Sequence, residues 1–144
     1  MNLKHVAKEF TKEWNQIDFD TQFDNENNAL KISANLSAKA YDDEILLIAN
    51  IYDRGDSAAV YIEFCFDELE LTNGTLRLIN GFNEESLFLK AHVDSGSEQH
   101  YLRLTYNVFN VREEDVVSTI SFAMNEVTDD DIEKILKPIT LLTE

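Results

Sequence analysis

The stretch TNGTLRLINGFN, residues 72–83, decides how the rest of the chain is interpreted, because it interrupts two runs of strand-like sequence. Thr72 or Asn73 can cap a short helix, since either side chain can accept a hydrogen bond from a backbone amide of the first turn. Gly81 is well placed to end that helix. Three apolar residues recur at the spacing of one helical face: Leu76, Ile79 and Phe82. The stretch therefore predicts a short helix that separates two groups of strands.

Three strands are predicted before this helix. Residues 30–37 alternate between apolar and polar side chains, which indicates a strand with one face in the core and the other in water. Residues 45–52 are almost continuously apolar, as is typical of a central strand that is covered on both faces. Residues 59–67 alternate again. Short polar turns connect these strands over residues 38–44 and 53–56, and they favour an antiparallel meander.

Two further strands are predicted after the helix. Along residues 87–94, one face carries Leu87, Leu89, Ala91 and Val93, and the other carries Phe88, Lys90, His92 and Asp94. Residues 101–109 alternate in the same way. The turn signal at residues 94–97 joins the two strands into a second hairpin.

Helices are predicted at both ends of the chain. An apolar stripe at three- and four-residue spacing predicts a first helix of about four turns that ends near Asp18. Its members are Leu3, Val6, Phe10, Trp14 and Ile17. Residues 18–28 are acidic and rich in Asn, which indicates a turn or an irregular edge segment.

The last helix begins with three acidic residues at positions 113–115, where the helix dipole favours negative charge. Its apolar side consists of Val116, Val117, Ile120, Ala123, Met124 and Val127. Thr128 and Asp131 resemble a capping box, so we expect a restart there, and Pro138 should kink or end that segment. The second apolar stripe comprises Ile132, Ile135, Leu136 and Ile139.

These elements predict an α+β fold with a five-stranded, mainly antiparallel sheet flanked by N-terminal, short central and C-terminal helices. The expected order is α-β-β-β-α-β-β-α. A chain of 144 residues, of which 44% are apolar, is long enough for one core, so we expect a single domain over residues 1–144.

The charge balance is strongly acidic and uneven. The net charge is -16, from 28 acidic and 12 basic residues. Residues 1–40 carry five Lys and six acids, whereas residues 41–144 carry seven bases and 22 acids. Nucleic-acid binding is disfavoured, because neutralising phosphates needs a basic surface. A cationic partner is one explanation of the acidity, and solubility alone is the other.

The sequence shows neither the apolar core of a signal peptide near its start nor a window as long as a membrane span. We therefore expect a cytoplasmic protein that does not enter the membrane. Cys65, the single cysteine, cannot form an internal disulfide, which fits a reducing compartment.

Catalytic and metal-binding interpretations find little support. His92 and His100 could approach one another across the turn, and with Asp94 or Glu98 they could form a metal site, but their spacing matches no recognised ligand pattern. Cys65 has no basic neighbour in the sequence, which favours a packed thiol over a nucleophile. Adjacent acids are unavoidable in so acidic a chain. We expect no enzyme activity, no cofactor and no metal.

The order of elements resembles the fold of type III secretion chaperones and of YbjN-like proteins. The local resemblance lies in LRLINGFN, residues 76–83, followed by the strand LFLKA, residues 87–91, then a second strand and a helix. This resemblance implies a small acidic homodimer that binds another polypeptide, with no cofactor and no chemistry.

We therefore expect a non-enzymatic protein-binding module, chaperone-like or regulatory, that binds another polypeptide and a second copy of itself. The expected contact residues are Phe10, Trp14, Tyr61 and Phe88, on the first helix and the exposed sheet face. The alternative is an acidic inhibitor or immunity-type protein that blocks a basic surface. Salt-dependent association would favour the alternative, whereas loss of binding on apolar substitution would favour the chaperone-like interpretation.

Overall fold

The computed structural model describes residues 1–38, 41–69, 72–86, 88–95 and 100–128, with only the backbone of residues 38, 41–43, 67–69 and 95. These ranges contain three α-helices: α1 (Leu3–Glu13), α2 (Asn73–Glu85) and α3 (Val116–Val127). Their strands are β1 (Phe19–Asp24), β2 (Ala29–Ala38), β3 (Tyr41–Asp53), β4 (Ala58–Leu69), β5 (Lys90–Ser95) and β6 (His100–Val111). A short 3-10 turn at Glu113–Asp115 precedes α3.

The strands form one antiparallel sheet in the order β1-β2-β3-β4-β6-β5. The α+β class with an antiparallel sheet and three helices is confirmed, whereas the expected number of five strands is wrong. The connection through α2 lets β6 pair with β4, so that β5 becomes an edge strand.

One face of the sheet, called the inner face, packs against the helices. On the inner face, every second side chain of β2, β3 and β4 is buried, as the pleat requires. They are Leu30, Ile32, Ala34, Leu36, Ile45, Leu47, Ala49, Ile51, Val60, Ile62 and Phe64. Outward-facing Ala59 and Cys65 of β4 are also buried. Val6 and Phe10 of α1, Ile79 and Phe82 of α2, and Val116 and Ile120 of α3 belong to the same buried cluster. We call the opposite side of the sheet the outer face.

The strand that sequence patterns miss is β1. Residues 18–28 were expected to form a turn or an irregular edge segment, but residues 19–24 pair with β2 from Phe19 opposite Ala34 to Asp24 opposite Ala29. Five of its six residues are exposed. Because so few of its side chains are buried, β1 shows little alternation of apolar and polar residues in the sequence. Backbone pairing with β2 holds the strand in the sheet.

Helix α1 is shorter than expected and ends at Glu13 instead of near Asp18. Trp14 leaves the helical conformation, with φ -114° and ψ 43°, while its N–H still donates to the carbonyl of Phe10. The indole Nε1 of Trp14 donates to Oγ of Ser121 on α3 at 2.8 Å. This contact fixes the end of α1 against α3.

Helix α2 begins as expected, with Thr72 as its N-cap accepting from the N–H of Thr75. It does not end at Gly81, because the helix continues to Glu85 and buries Phe82 against the core. The ammonium of Lys90 donates to the carbonyls of Asn83 and Ser86 and so satisfies groups at the helix end.

Asn83 ties the end of α2 to β5. Its Nδ2 donates to the carbonyl of Ala91 at 2.8 Å, and the Ala91 N–H donates to its Oδ1 at 2.6 Å. Both backbone polar groups of Ala91 that could pair with a further strand are therefore occupied by a side chain of the same protein.

The remaining boundaries differ in smaller ways. β2 and β3 extend into the expected turn at residues 38–44, of which residues 39 and 40 lie outside the described part of the chain. β5 begins at Lys90, and Leu87 is also outside that part. The acids at positions 113–115 form the 3-10 turn instead of the first turn of α3. The expected restart with Asp131, Ile132, Ile135, Leu136, Pro138 and Ile139 falls on residues that the structure does not describe.

The interior position of Gly81 gives a first prediction. A Cβ at Gly81 would meet nothing within 4 Å, so Gly81→Ala should raise the free energy of unfolding by about 0.5–1 kcal/mol through helix propensity alone. Gly55 in the turn between β3 and β4 has φ 100°, a backbone conformation that alanine adopts only with strain. Gly55→Ala should therefore lower the free energy of unfolding by about 1 kcal/mol. Urea unfolding followed by circular dichroism measures both. A destabilised Gly81→Ala variant would contradict the placement of Gly81 inside α2.

Candidate protein-interaction surface

Three aromatic side chains form a row across the outer face. Tyr52 on β3, Tyr61 on β4 and Phe109 on β6 meet edge to face, with both pairs of ring centroids 5.6 Å apart. The row arises because these residues occupy outward positions of strands that lie side by side. Phe109 is 59% exposed and is the most exposed large apolar side chain in the described residues. We call these three residues the aromatic row.

Beyond the aromatic row, the outer face carries both apolar and polar side chains, and Asn50 and Asn107 lie beside Tyr61. Leu46 and Ile48 of β3 lie along this face, and Leu46 is 37% exposed. The buried clusters of α1, α2 and α3 all lie on the inner face. No helix in the described ranges covers the aromatic row or its apolar surroundings. Such a surface on a sheet is typical of a place where another molecule binds.

An arginine bridges two acids at the other end of the outer face. Nε of Arg103 lies 3.2 Å from a carboxylate oxygen of Glu63 and 3.4 Å from one of Asp94. The guanidinium also lies over the ring of Tyr101. These residues come from three neighbouring strands, and the single positive charge of Arg103 offsets part of the negative charge of the two carboxylates.

Cys65 lies on the outer face beside this cluster and is 8% exposed. Burial raises the pKa of the Cys65 thiol, while the positive charge of Arg103 acts in the opposite direction. A raised pKa leaves less thiolate at neutral pH, and the thiolate is the reactive form. Cys65 is therefore a packed thiol, as its sequence context suggested.

This environment predicts slow thiol chemistry. In the folded protein at pH 8, Cys65 should react with Ellman's reagent at least about tenfold more slowly than free glutathione, because it is both buried and protonated. In 6 M guanidinium chloride the rate should approach that of glutathione. A fast reaction of the native protein would contradict the packing of Cys65 under Arg103.

The structure separates the four residues expected to contact a partner. Phe10 has no exposed surface and packs edge to face on Phe19, with ring centroids 5.1 Å apart. Trp14 is half-buried against α3. Tyr61 lies in the aromatic row. Phe10 is therefore a core residue in this conformation, and Tyr61 is the one of these three that lies in the outer face.

Phe88 lies on the opposite side of the sheet from Tyr61. It was expected to share a face with Lys90 and His92, but it precedes β5 and contacts Tyr106 and Phe122 on the helix side. It is 45% exposed. The alternation does not reach Phe88 because the strand starts two residues later, at Lys90.

The two histidines of the second hairpin do not face each other. His92 pairs with Arg103 and His100 with Ser95, so the alternation of β5 and β6 places the two imidazoles on opposite faces. The prediction that His92 and His100 approach one another is therefore wrong. Among the described residues, no group of three or more His, Cys, Asp or Glu side chains could hold a metal ion. Glu98 lies outside them.

Two members of the aromatic row were not recognised from the sequence. Tyr52 was assigned to a strand covered on both faces, and Phe109 lies at the end of its predicted strand. The signal that could have found them is the register. Tyr61 is opposite Asn50 and Asn107, which brings Tyr52 and Phe109 within ring contact of it.

Core and surface phenylalanines should respond differently to the same substitution. Phe10→Ala should lower the free energy of unfolding by about 3–5 kcal/mol, because it leaves a cavity between α1 and the sheet. Phe109→Ala should lower it by less than about 1 kcal/mol, because Phe109 is mostly exposed. Chemical denaturation of both variants provides the test. Equal losses would show that the outer face is not a free surface.

Comparisons with known proteins concern the fold. No protein-family model matches the chain, and no curated protein matches it. No helix in the described ranges is long and apolar enough to span a membrane. The crystal structure of YbjN from E. coli, whose proposed role is transcription regulation, is similar over 98% of this chain and 93% of that chain, with a TM-score of 0.51 and 13% sequence identity. The chain therefore has a YbjN-like fold.

Proposed function

We propose that this protein is a non-enzymatic module that binds another polypeptide through its outer face. The observation that carries the proposal is the aromatic row, whose most exposed member, Phe109, shows 59% of its surface to solvent. Burial of this apolar surface by a partner is favourable in itself and needs no cofactor and no reacting group.

Aromatic rings suit this task. Tyr and Phe offer large contact areas with few rotatable bonds, and they are enriched at the centres of protein interfaces. The edge-to-face contacts of Tyr61 with Tyr52 and Phe109 hold the rings in place before any partner arrives. Less side-chain entropy is then lost on binding.

The charge distribution supports a protein partner over nucleic acid. A net charge of -16 repels a phosphate backbone, so a regulatory role like the one proposed for E. coli YbjN would act through a protein. On the outer face, Arg103 offsets part of the negative charge of Glu63 and Asp94. Apolar contact therefore supplies the affinity, and the acidic remainder of the surface adds solubility and steering.

A second copy of the chain is one partner that this surface suits. The aromatic rows of two copies can meet and bury apolar surface from both chains. We therefore include homodimerisation in the proposal. Sedimentation equilibrium of the wild type and of Phe109→Ser measures it, and a dimer that persists in the variant would place self-association elsewhere.

Site-specific photo-crosslinking tests the binding surface. With benzoylphenylalanine at position 109, irradiation in cells should yield covalent adducts to one or a few polypeptides, and Tyr61→Ser in the same chain should reduce them several-fold. The matched control places the same residue at Leu76 on α2, which is 42% exposed on the helix side. Adducts of equal yield at position 76 would refute the outer face as the contact surface.

Salt separates this proposal from the acidic-inhibitor alternative. Adducts at position 109 should persist when lysates are irradiated at 0.05 M and at 0.5 M salt, because apolar contacts are little screened. Loss of the adducts at the higher concentration, with no effect of Tyr61→Ser, would instead identify charge as the source of binding.

A further inference from the structure

The two edges of the sheet differ in how they end. At the β5 edge, Asn83 occupies the outward N–H and carbonyl of Ala91. At the other edge, β1 is the terminal strand, pairs on one side with β2, and has five exposed residues out of six. In the described part of the chain, no element lies beyond β1. An uncovered edge strand presents a row of backbone donors and acceptors to a further strand.

The side chains of β1 carry a pattern that a further strand would have to match. On the outer face, Asp20, Gln22 and Asp24 follow one another at alternate positions, as their register with β2 shows. Asp24 is held in place by its turn, where its carboxylate accepts from Nδ2 of Asn27 and from the backbone of Glu26 and Asn27. These bonds, the side chain of Asn27 first, lower the pKa of Asp24.

On the inner side of the same edge, Phe19 and Phe23 flank Thr21. Phe19 packs on Phe10, and Phe23 is 44% exposed. A shallow cleft beside Phe23 has a mainly polar lining, which includes Lys4 of α1 and Asn28 of the turn after β1. An apolar side chain on a strand next to β1 would lie beside Phe23.

We propose that the free edge of β1 accepts an extended polypeptide segment in which Lys or Arg alternates with apolar residues, as an additional antiparallel strand. Backbone pairing with β1 supplies affinity, and the alternation supplies selectivity. The basic side chains lie opposite Asp20 and Asp24 on the outer face. The apolar side chains lie beside Phe19 and Phe23. This surface is separate from the aromatic row, so the inference stands or falls independently of the proposed function.

A second copy does not fit this edge. If β1 of another copy continued the sheet in antiparallel register, the acidic outer positions of the two strands would face each other. Like charges directly opposite are destabilising in a sheet. The charge pattern of β1 therefore favours a basic strand over self-association.

Synthetic peptides test the proposal on the full chain. A fluorescent peptide of alternating Lys and Val, about eight residues long, should bind with a measurable change in anisotropy. The same composition as a block of Lys followed by a block of Val should bind about tenfold more weakly, and so should an alternating Glu and Val peptide. Methylation of every second backbone nitrogen blocks hydrogen bonding along one edge of the peptide. The pattern that blocks the edge facing β1 should abolish binding, so peptides with each of the two patterns are measured.

Variants of the protein locate the site. Asp20→Lys should weaken binding of the Lys and Val peptide by about tenfold. The matched control is Asp56→Lys, an identical charge change in the exposed turn between β3 and β4, which should weaken it by less than about twofold. Amide hydrogen exchange should slow in β1 on peptide binding and remain unchanged in β5.

Three outcomes overturn the proposal. Equal binding of the block and alternating peptides would show that charge alone attracts them. Full binding of both methylated peptides would exclude strand pairing. Equal effects of Asp20→Lys and Asp56→Lys would show that the site is not β1. In each case Tyr61→Ser and the crosslinks at position 109 report separately on the outer face, so that failure at one surface is distinguishable from failure at the other.

Discussion

Burial of the inner face against three helices is the constraint on which the rest of the structure depends. Leu30, Ile51, Val60 and their neighbours form one dry layer, and α1, α2 and α3 all contribute to it. Because successive side chains of a strand point to opposite faces, the same residues that fill this layer determine which ones lie on the outer face. The aromatic row therefore follows from the register that builds the core.

The elements that bury one full face were predictable. In β2, β3 and β4 the alternation of apolar side chains is visible because each inward side chain is removed from water. The N-cap and the apolar stripe of α2 predicted the helix, but they did not predict its length. Gly81 does not end the helix, because burial of Ile79 and Phe82 stabilises the helix by more than a glycine in its interior destabilises it.

The parts held by backbone pairing or by single contacts were not predictable. β1 has almost no buried side chain, so hydrophobic periodicity cannot reveal it. For Phe10 and Trp14, an amphipathic stripe shows that one side of a helix is apolar, but the same pattern serves a core and a partner equally well. The position of Tyr61 on the outer face followed from its strand, which was correctly assigned. Phe109 needed the pairing of β4 with β6, a contact between residues far apart in the sequence.

The closure at Ala91 has a consequence for the valency of the protein. Strand-by-strand growth into a filament needs two open edges on each subunit, one to receive and one to donate. Asn83 withdraws the backbone groups of Ala91 from such pairing, so one of the outward-facing positions of β5 cannot take part in it. Growth from the β5 edge is therefore hindered at its end next to α2, so the two edges of the sheet are not equivalent for strand addition.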